Sequence, residues 1–386
     1  MSSNKRTRSD SHVHNDDNTN ASTKKLRTDL NASPAISNDV QHVELSQDDV
    51  ALYDRQIRLW GMEAQQRMRN SKILIGGLTG ITTEVCKNLV LAGIGTLTVV
   101  DASPVRIQDL QTEFFVTESD IGKNKAQAAI EKIRMLNPRV KVDAISKDVA
   151  TMPESFFDGF DFVVLSGVDL STMVRMDEIC RKRGIKFYGA IGAGFQGLFF
   201  TDLIHHKFVL EAKTHPSAPK HRKAETNEFH YVSIENALTK TWGPIKGSAR
   251  RNQAIPLYIA FLIVLTYQRQ CGRYPTKTQD SEALSLYKAS FLQSQSLQPN
   301  FIPDDQLWTI SSMMGAELPG VAPVIGGVLS QDVIKTLAGK DEPVYNVFVH
   351  DGLRSIGTVL ESIPRIESKS HGACRALVEE VMIGDD

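Results

Sequence analysis

The chain has 386 residues, with 44 Lys and Arg against 45 Asp and Glu, so its formal charge is −1 at neutral pH. That balance excludes a global field favouring nucleic acid, and any basic patch has to be local. The length predicts two or three domains with ample core, and the 4 cysteines, Cys86, Cys180, Cys271 and Cys374, lie too far apart for a CxxC metal pair or a disulfide framework, which argues for a reducing compartment.

Residues 1–46 are rich in Ser, Asn, Asp and Thr and poor in large apolar side chains, so a disordered tail is expected there. It carries two basic clusters, Lys5, Arg6 and Arg8, then Lys24, Lys25 and Arg27, separated by 15 residues. This is the layout of a bipartite nuclear import signal, and a nuclear chain with a cytoplasmic share is the expectation; a plain solvating tail would look the same. No signal-peptide core is visible at the N-terminus. The longest apolar run, Pro256 to Thr266, is too short to cross a bilayer and reads as a buried helix, so no membrane partner is expected.

Ser46 with Asp49 three residues later marks a helix start. In the helix predicted from there, Ile57, Trp60, Ala64 and Met68 form one apolar stripe, while Arg55 and Arg58 share a different face.

The segment Lys72 to Asp101 then reads as strand, glycine turn, helix and strand, with Val85, Leu89 and Ala92 on one helix face and Gly93 and Gly95 closing it. Asp101 falls 24 residues after Gly77, where a nucleotide-binding βαβ unit places the acid that holds a ribose hydroxyl. The turn itself is wrong for phosphate. From Gly77 the glycine positions read Gly77, Thr79 and Thr82, with an extra Gly80; Thr79 stands where phosphate should approach, and β-branched Thr82 crowds the helix start. A core βαβ unit that never bound nucleotide is equally compatible with this stretch alone.

Further on, a helix runs from Gly122-Lys123-Asn124-Lys125 to Pro138 with Ala126, Ala129, Ile130, Ile133 and Leu136 apolar. Strands are predicted at Val140–Ile145, Asp161–Leu165 and Ile185–Ala190, and a helix from Thr172 to Arg183 that Ser171 can cap and Gly184 can stop. The alternation means α/β, a doubly wound and largely parallel sheet. Phe195 to Thr201 reads as a further strand, for which antiparallel pairing is one expectation. Residues 205–310 turn polar and irregular and read as a small, mainly helical inserted subdomain between 47–204 and 311–362 of the sheet domain, with 363–386 a C-terminal extension. In the returning part, Val324, Val328, Ile334 and Leu337 suggest a buried helix begun near Pro323, Gly326-Gly327 allows close packing, and Val344–Val349 with Ser355–Leu360 form a hairpin about Asp351-Gly352.

Taken together, YDRQIRLWG (53–61), KILIGGLTGITTEVCKNLVLAGIG (72–95), GKNKA (122–126) and APVIGGVLSQDVIK (322–335) with NVFVHDG (346–352) resemble the adenylation half of a ubiquitin-like-modifier activating enzyme, over most of 51–360. The short insert and the chain length are similar to those of the family's small subunits, which lack the catalytic cysteine. The resemblance implies a Rossmann-like adenylation fold, ATP and Mg²⁺ chemistry, and pairing of two such halves about a pseudo-two-fold axis. In the family a GxGGxG loop, an NLNRQF segment, a GxxKA lysine and an aspartate after the fourth strand hold ATP and metal. Here Thr79 and Thr82 replace loop glycines; Asp109, Gln111 and Thr112 stand where Asn, Asn and Arg would be; the metal aspartate falls on Val168, with Asp169 one position late. Lys125 and Asp101 alone match. The site implied is degenerate, with no cofactor or metal of its own, because losing Arg and a metal carboxylate removes the charges that stabilise an adenylation transition state.

The arginine matching Arg55 is, in the family, supplied in trans to the partner's ATP phosphates, a rigid and always-charged fork; an interface ion pair is the simpler role for the same residue. The implied partners are a large catalytic-cysteine subunit that binds most of the ATP and Mg²⁺, a SUMO-type modifier and, indirectly, its conjugating enzyme. Interface expectations are the Ile57, Trp60, Ala64, Met68 stripe and residues 112–115. Cys271 is expected to be a quiet, partly buried thiol. Two rival readings stay open. An autonomous homodimeric adenylating or sulfur-transfer enzyme would need phosphate-binding residues where Thr79 and Thr112 stand, and a nucleotide-dependent oxidoreductase would leave YDRQIRLWG unexplained.

Overall fold

A computed structural model describes residues 44–210, 225–242 and 249–361. The basic clusters at 5–8 and 24–27, most of the expected tail, Cys374 and the 363–386 extension lie outside the described residues.

Ser46 and Asp49 form the predicted reciprocal cap, and three short helices follow: α1 (Gln47–Leu52), α2 (Asp54–Trp60) and α3 (Met62–Asn70). The single helix expected here is broken at Gly61, whose φ of +93° lies in the left-handed region. The break divides the stripe. Ala64 and Met68 on α3 are fully buried in the chain, whereas Ile57 and Trp60 on α2 are half-buried, and the Trp60 indole donates to Gln65 Oε1 at 2.9 Å. Ala64 and Met68 are therefore core residues rather than interface.

The remaining elements are β1 (Lys72–Gly76), α4 (Gly80–Ala92), β2 (Thr96–Val100), α5 (Lys125–Leu136), β3 (Lys141–Ile145), β4 (Phe162–Ser166), α6 (Leu170–Arg183), β5 (Lys186–Ala193), β6 (Gln196–Asp202), β7 (His205–Leu210), β8 (Glu225–His230), α7 (Ile234–Leu238), α8 (Ala249–Cys271), α9 (Lys277–Ser294), α10 (Asp304–Met313), α11 (Ala322–Ala338), β9 (Val347–Asp351) and β10 (Ile356–Leu360). Eight strands form one sheet in the order β10-β9-β6-β5-β4-β1-β2-β3. Pairing is parallel from β3 to β5 and antiparallel from β5 to β10, with β6 antiparallel as expected. Strand order reverses between β1 and β4, and the crevice beyond their carboxyl ends is where such sheets place ligands.

Alternating strand residues feed the two faces. Ile73, Ile75, Leu97, Val99 and Val164 pack under helices α3, α4, α5 and α11, and Leu74, Val163, Leu165 and Phe187 pack under α6, α8 and α10. The apolar run in α8 is a buried helix: every residue from Leu257 to Leu265 is at most 1% exposed, and it covers the second sheet face. By length and composition α8 could span a membrane; here its apolar residues are the core. The segment expected as a helical insert, 205–310, thus begins with the separate hairpin β7–β8 and contributes α8 to the main core.

Local signals were offset at two helices. Asp169, not Ser171, caps α6, accepting from the Thr172 amide at 2.7 Å, while Gly184 ends it in the left-handed region. On α11 the buried face is Ile325, Leu329 and Val333, while Val324 is 41% exposed and Val328 and Ile334 lie at the rim. Gly326, not Gly327, makes the close approach: a β-carbon there would collide with the Ile81 carbonyl of α4 and lie 2.8 Å from Glu84 Cβ, whereas Gly327 has open space.

Candidate functional site

Gly77 leaves β1 with φ +81°, and a β-carbon there would strike the Ser166 carbonyl at the end of β4, so glycine is required at the crevice. Its amide donates to Val100 O at 2.9 Å. The next amide, Leu78, donates to Asp101 Oδ2 at 2.7 Å, and the Ser103 amide donates to Oδ1 at 2.6 Å. Both oxygens of the acid expected to hold a ribose are therefore bonded to the chain's own backbone.

Thr79 and Thr82 cap α4. The Thr79 amide donates to Thr82 Oγ1 at 2.8 Å, the Thr82 amide returns a bond to Thr79 Oγ1, and the Thr82 hydroxyl donates to Gly77 O at 2.7 Å. The Thr79 hydroxyl also donates to Ser166 Oγ at 3.2 Å. Beyond the cap, the Gly80 and Ile81 amides donate to the two carboxylate oxygens of Glu317, which arrives from the segment before α11. A carboxylate here meets the positive end of the helix dipole, the position that phosphate takes in nucleotide-binding turns. Thr112 closes over Gly80 from the other side, and its Cβ would be 2.6 Å from a β-carbon added there.

Lys125, at the start of α5, is buried among acids. Its ammonium donates to Glu113 Oε1 at 2.6 Å and to Leu78 O at 3.3 Å, and pairs with Asp109 Oδ1 at 3.0 Å. Burial pulls its pKa down, but Glu113 and Asp109 outweigh that and hold it above the ordinary value. Burial pushes the Glu113 carboxyl up to about 8; Lys125 opposes the shift, while Asp109 and Glu317 add to it. Glu113 Oε2 is buried with no hydrogen-bond partner among the described residues. Glu317 is likewise raised by burial, against the bonds from Gly80 and Thr79. One ammonium among three carboxylates leaves the cluster acidic, so a proton is the ligand it favours.

The fold thus brings Gly77, Thr79, Gly80, Thr82, Asp101, Asp109, Thr112 and Lys125 together at the crevice. Gln111 is exposed in a 3₁₀ turn, Val168 packs on the second-face core, and Asp169 is committed to capping α6. The motifs did not point to Glu113 or Glu317. Glu113 lies in the QTEFF segment one position past Thr112, a visible signal, whereas Glu317 is 237 residues from Gly80 and has none.

Arg55 stands on α2, exposed, and makes no hydrogen bond or ion pair among the described residues, while Arg58 pairs with Asp54 at 3.0 Å. Close by in sequence or packing, Leu59 is 75% exposed and Met62, Leu91 and Val324 are exposed too. A shallow groove of about 470 Å³ runs between α2, α4 and α11, lined by Gln56, Trp60, Leu91, Val324, Val328 and Ile334 among others. Phe114 is exposed as well. Cys86 and Cys180 are buried and their thiols are pushed up by burial, Cys86 to about 12. Cys271, expected to be partly buried, is exposed at the end of α8.

The profile of the ThiF family matches residues 53–376. SUMO-activating enzyme subunit 1 of Rattus norvegicus is 34% identical over 336 residues, covering 82% of this chain and 95% of its own; that of Homo sapiens is 34% identical over 334 residues, with the same shares. Among solved structures, a selenomethionine crystal structure of PaaA superposes with a TM-score of 0.52 at 16% identity, over 85% of this chain and 77% of that one, a likeness of fold. With a profile that spans the sheet domain and relatives matched over nearly their whole length, the chain belongs to the ThiF family, as a subunit of the ubiquitin-like-modifier activating type.

Proposed function

We propose that the chain is the non-catalytic subunit of a heterodimeric SUMO-activating enzyme, and that it supports ATP-dependent adenylation of the SUMO C-terminus and thioester formation on a large partner subunit. The likeness to subunit 1 chains supports the assignment. The observation that carries the non-catalytic part is Glu317 on the first-turn amides of α4, with Lys125 engaged by Glu113 and Asp109. ATP and Mg²⁺ do not fit these residues: a triphosphate would have to displace one carboxylate and approach two more, with Thr112 in place of a guanidinium and Val168 in place of a metal ligand. Negative charge developing in an adenylation step would be destabilised here.

The nucleotide and metal are then held mainly by the large subunit, as is the thioester cysteine. This chain contributes Arg55, whose guanidinium has no partner among the described residues to leave and is free to pair with phosphate in trans. The pairing surface includes the groove lined by Trp60, Leu91 and Val324, and Leu59, Met62 and Phe114 add further exposed apolar side chains, the kind of surface that marks interaction sites. SUMO and the conjugating enzyme meet the complex through the assembled pair. The clusters at Lys5, Arg6, Arg8 and Lys24, Lys25, Arg27 direct it to the nucleus.

The test is SUMO-dependent ATP–pyrophosphate exchange by the chain alone, with the large subunit, and with the large subunit plus Arg55→Ala. Silence alone, activity with the partner, and a loss of about tenfold or more for Arg55→Ala, the order expected for a transition-state charge contact, are the expected results. Exchange by the chain alone would establish a working site of its own, as in an autonomous homodimeric enzyme. Full activity of Arg55→Ala would reduce Arg55 to an interface residue.

A further inference from the structure

We propose that the solvent face of the β7–β8 hairpin is a divalent transition-metal site, made by His205, Glu228 and His230 and suited to zinc. In the antiparallel register His205 lies directly opposite His230, and Lys207 opposite Glu228. Glu228 and His230 are two apart on β8, so their side chains share one face, and His205 joins them from across the strand pair. The ligating atoms, one from each residue, all lie within 4.8 Å of one another. His230 Nε2 is 3.4 Å from Glu228 Oε1, and His205 Nε2 touches the same oxygen. Zinc bonds of about 2.0–2.2 Å at tetrahedral angles separate ligand atoms by roughly 3.3 Å, so two of the three are already spaced for it.

The scaffold is rigid on its other side. Phe208, Phe229 and Tyr231 pack beneath the hairpin, with the Phe229 and Tyr345 rings 5.0 Å apart. The Tyr345 hydroxyl donates to His230 O at 3.0 Å, and the Tyr231 amide donates to Ile204 O at 2.8 Å, so both ligand-bearing strands are tied at the base. On the open side the His205, Glu228 and His230 side chains are 42%, 32% and 49% exposed, which admits an ion and leaves a coordination position for water. Two imidazoles and a carboxylate favour borderline ions, zinc or copper, over magnesium or calcium. The Lys207 ammonium, 3.8 Å from Glu228 Oε2, opposes a cation there, but its side chain is 65% exposed and can turn to solvent.

The experiment uses the full chain, stripped with chelator and titrated near neutral pH with Zn²⁺ against a chromophoric zinc indicator, beside Glu228→Gln and the double variant His205→Ala/His230→Ala. Histidines elsewhere give the same background in all three. Wild type should bind one equivalent that the double variant lacks. Glu228→Gln should weaken that equivalent by more than the roughly tenfold that even an outer-shell partner contributes. Co²⁺ should give a ligand-field absorption in wild type that the double variant loses. Equal stoichiometry and equal Co²⁺ spectra across the three proteins would overturn the site. Far-UV circular dichroism verifies folding, and if the double variant proves unfolded, the Glu228→Gln titration decides: unchanged zinc affinity refutes the proposal.

Discussion

Glu317→Ala tests whether a side chain of this protein occupies the place of phosphate. The substitution removes the acceptor of two buried first-turn amides, Gly80 and Ile81, and leaves the Thr79–Thr82 cap in place. An amide left unpaired in a buried site costs about 1–3 kcal/mol, and a charge lost from a helix N-terminus about 0.3–1 kcal/mol, up to ~2 when partly buried. Two effects offset this: Glu317 no longer has to be desolvated, and it no longer repels Glu113. A net loss of about 1–2 kcal/mol follows, which for a chain of this size lowers Tm by roughly 1–3 °C. Glu317→Gln, which keeps an acceptor without the charge, should fall between. The freed amides should then attract an anion, so inorganic phosphate should stabilise Glu317→Ala by about 1.4 kcal/mol at tenfold its Kd and leave wild type unmoved. Thermal melts with and without millimolar phosphate read both effects. An unchanged Tm for Glu317→Ala, together with no phosphate response, would refute the placement of Glu317 on α4.

The acid cluster predicts a pH dependence. The folded chain holds a proton on Glu113 up to about pH 8 that the unfolded chain releases near its ordinary value of 4.5, so this contribution to stability is present at low pH and declines as pH rises through that window. Glu113→Gln should flatten the decline in urea midpoints between about pH 5 and 8, and an unaltered slope would contradict it. Packing predicts an asymmetry between adjacent glycines. Gly326→Ala should destabilise by about 1–3 kcal/mol because the Ile81 carbonyl cannot yield, whereas Gly327→Ala, with open space, should be neutral or gain up to about 1 kcal/mol of helix propensity; equal urea midpoints would contradict the α4–α11 contact.

The elements legible in the sequence are those whose determinants are local. Ser46 with Asp49, Gly184 after α6 and the β9–β10 hairpin are each set by residues a few positions apart, and the parallel order follows from alternating strands and helices. Errors arose where two local choices were close in energy or where tertiary packing decided. Asp169 outcompetes Ser171 as a cap because its carboxylate reaches the Thr172 amide, which shifts the helix start by two residues. On α11 apolar residues occur on more than one face, and contact with α4 through Gly326 selects Ile325 and Leu329 for burial over Val324 and Val328. That threonines rather than glycines stand at 79 and 82 was plain in the sequence; the carboxylate on the first-turn amides of α4 was not, because Glu317 reaches the loop only in the folded sheet.

The way the loop is satisfied bears on why the chain is built so. A turn that had merely lost its ligand would be left with amides facing an empty crevice. Here the amides of Gly77, Leu78, Thr79, Gly80, Ile81 and Thr82 all donate to acceptors within the chain. Thr79 and Thr82, which read as obstacles to phosphate, are the groups that close two of those bonds. Order in this turn therefore needs no nucleotide. Helix α4 carries Leu91 to the exposed apolar surface at its far end and packs along α11, which carries Val324. A helix N-terminus satisfied from within the chain needs no bound anion to order the α4–α11 pair, which is the property that the role proposed above, support of a partner's chemistry through a pairing surface and Arg55, would require.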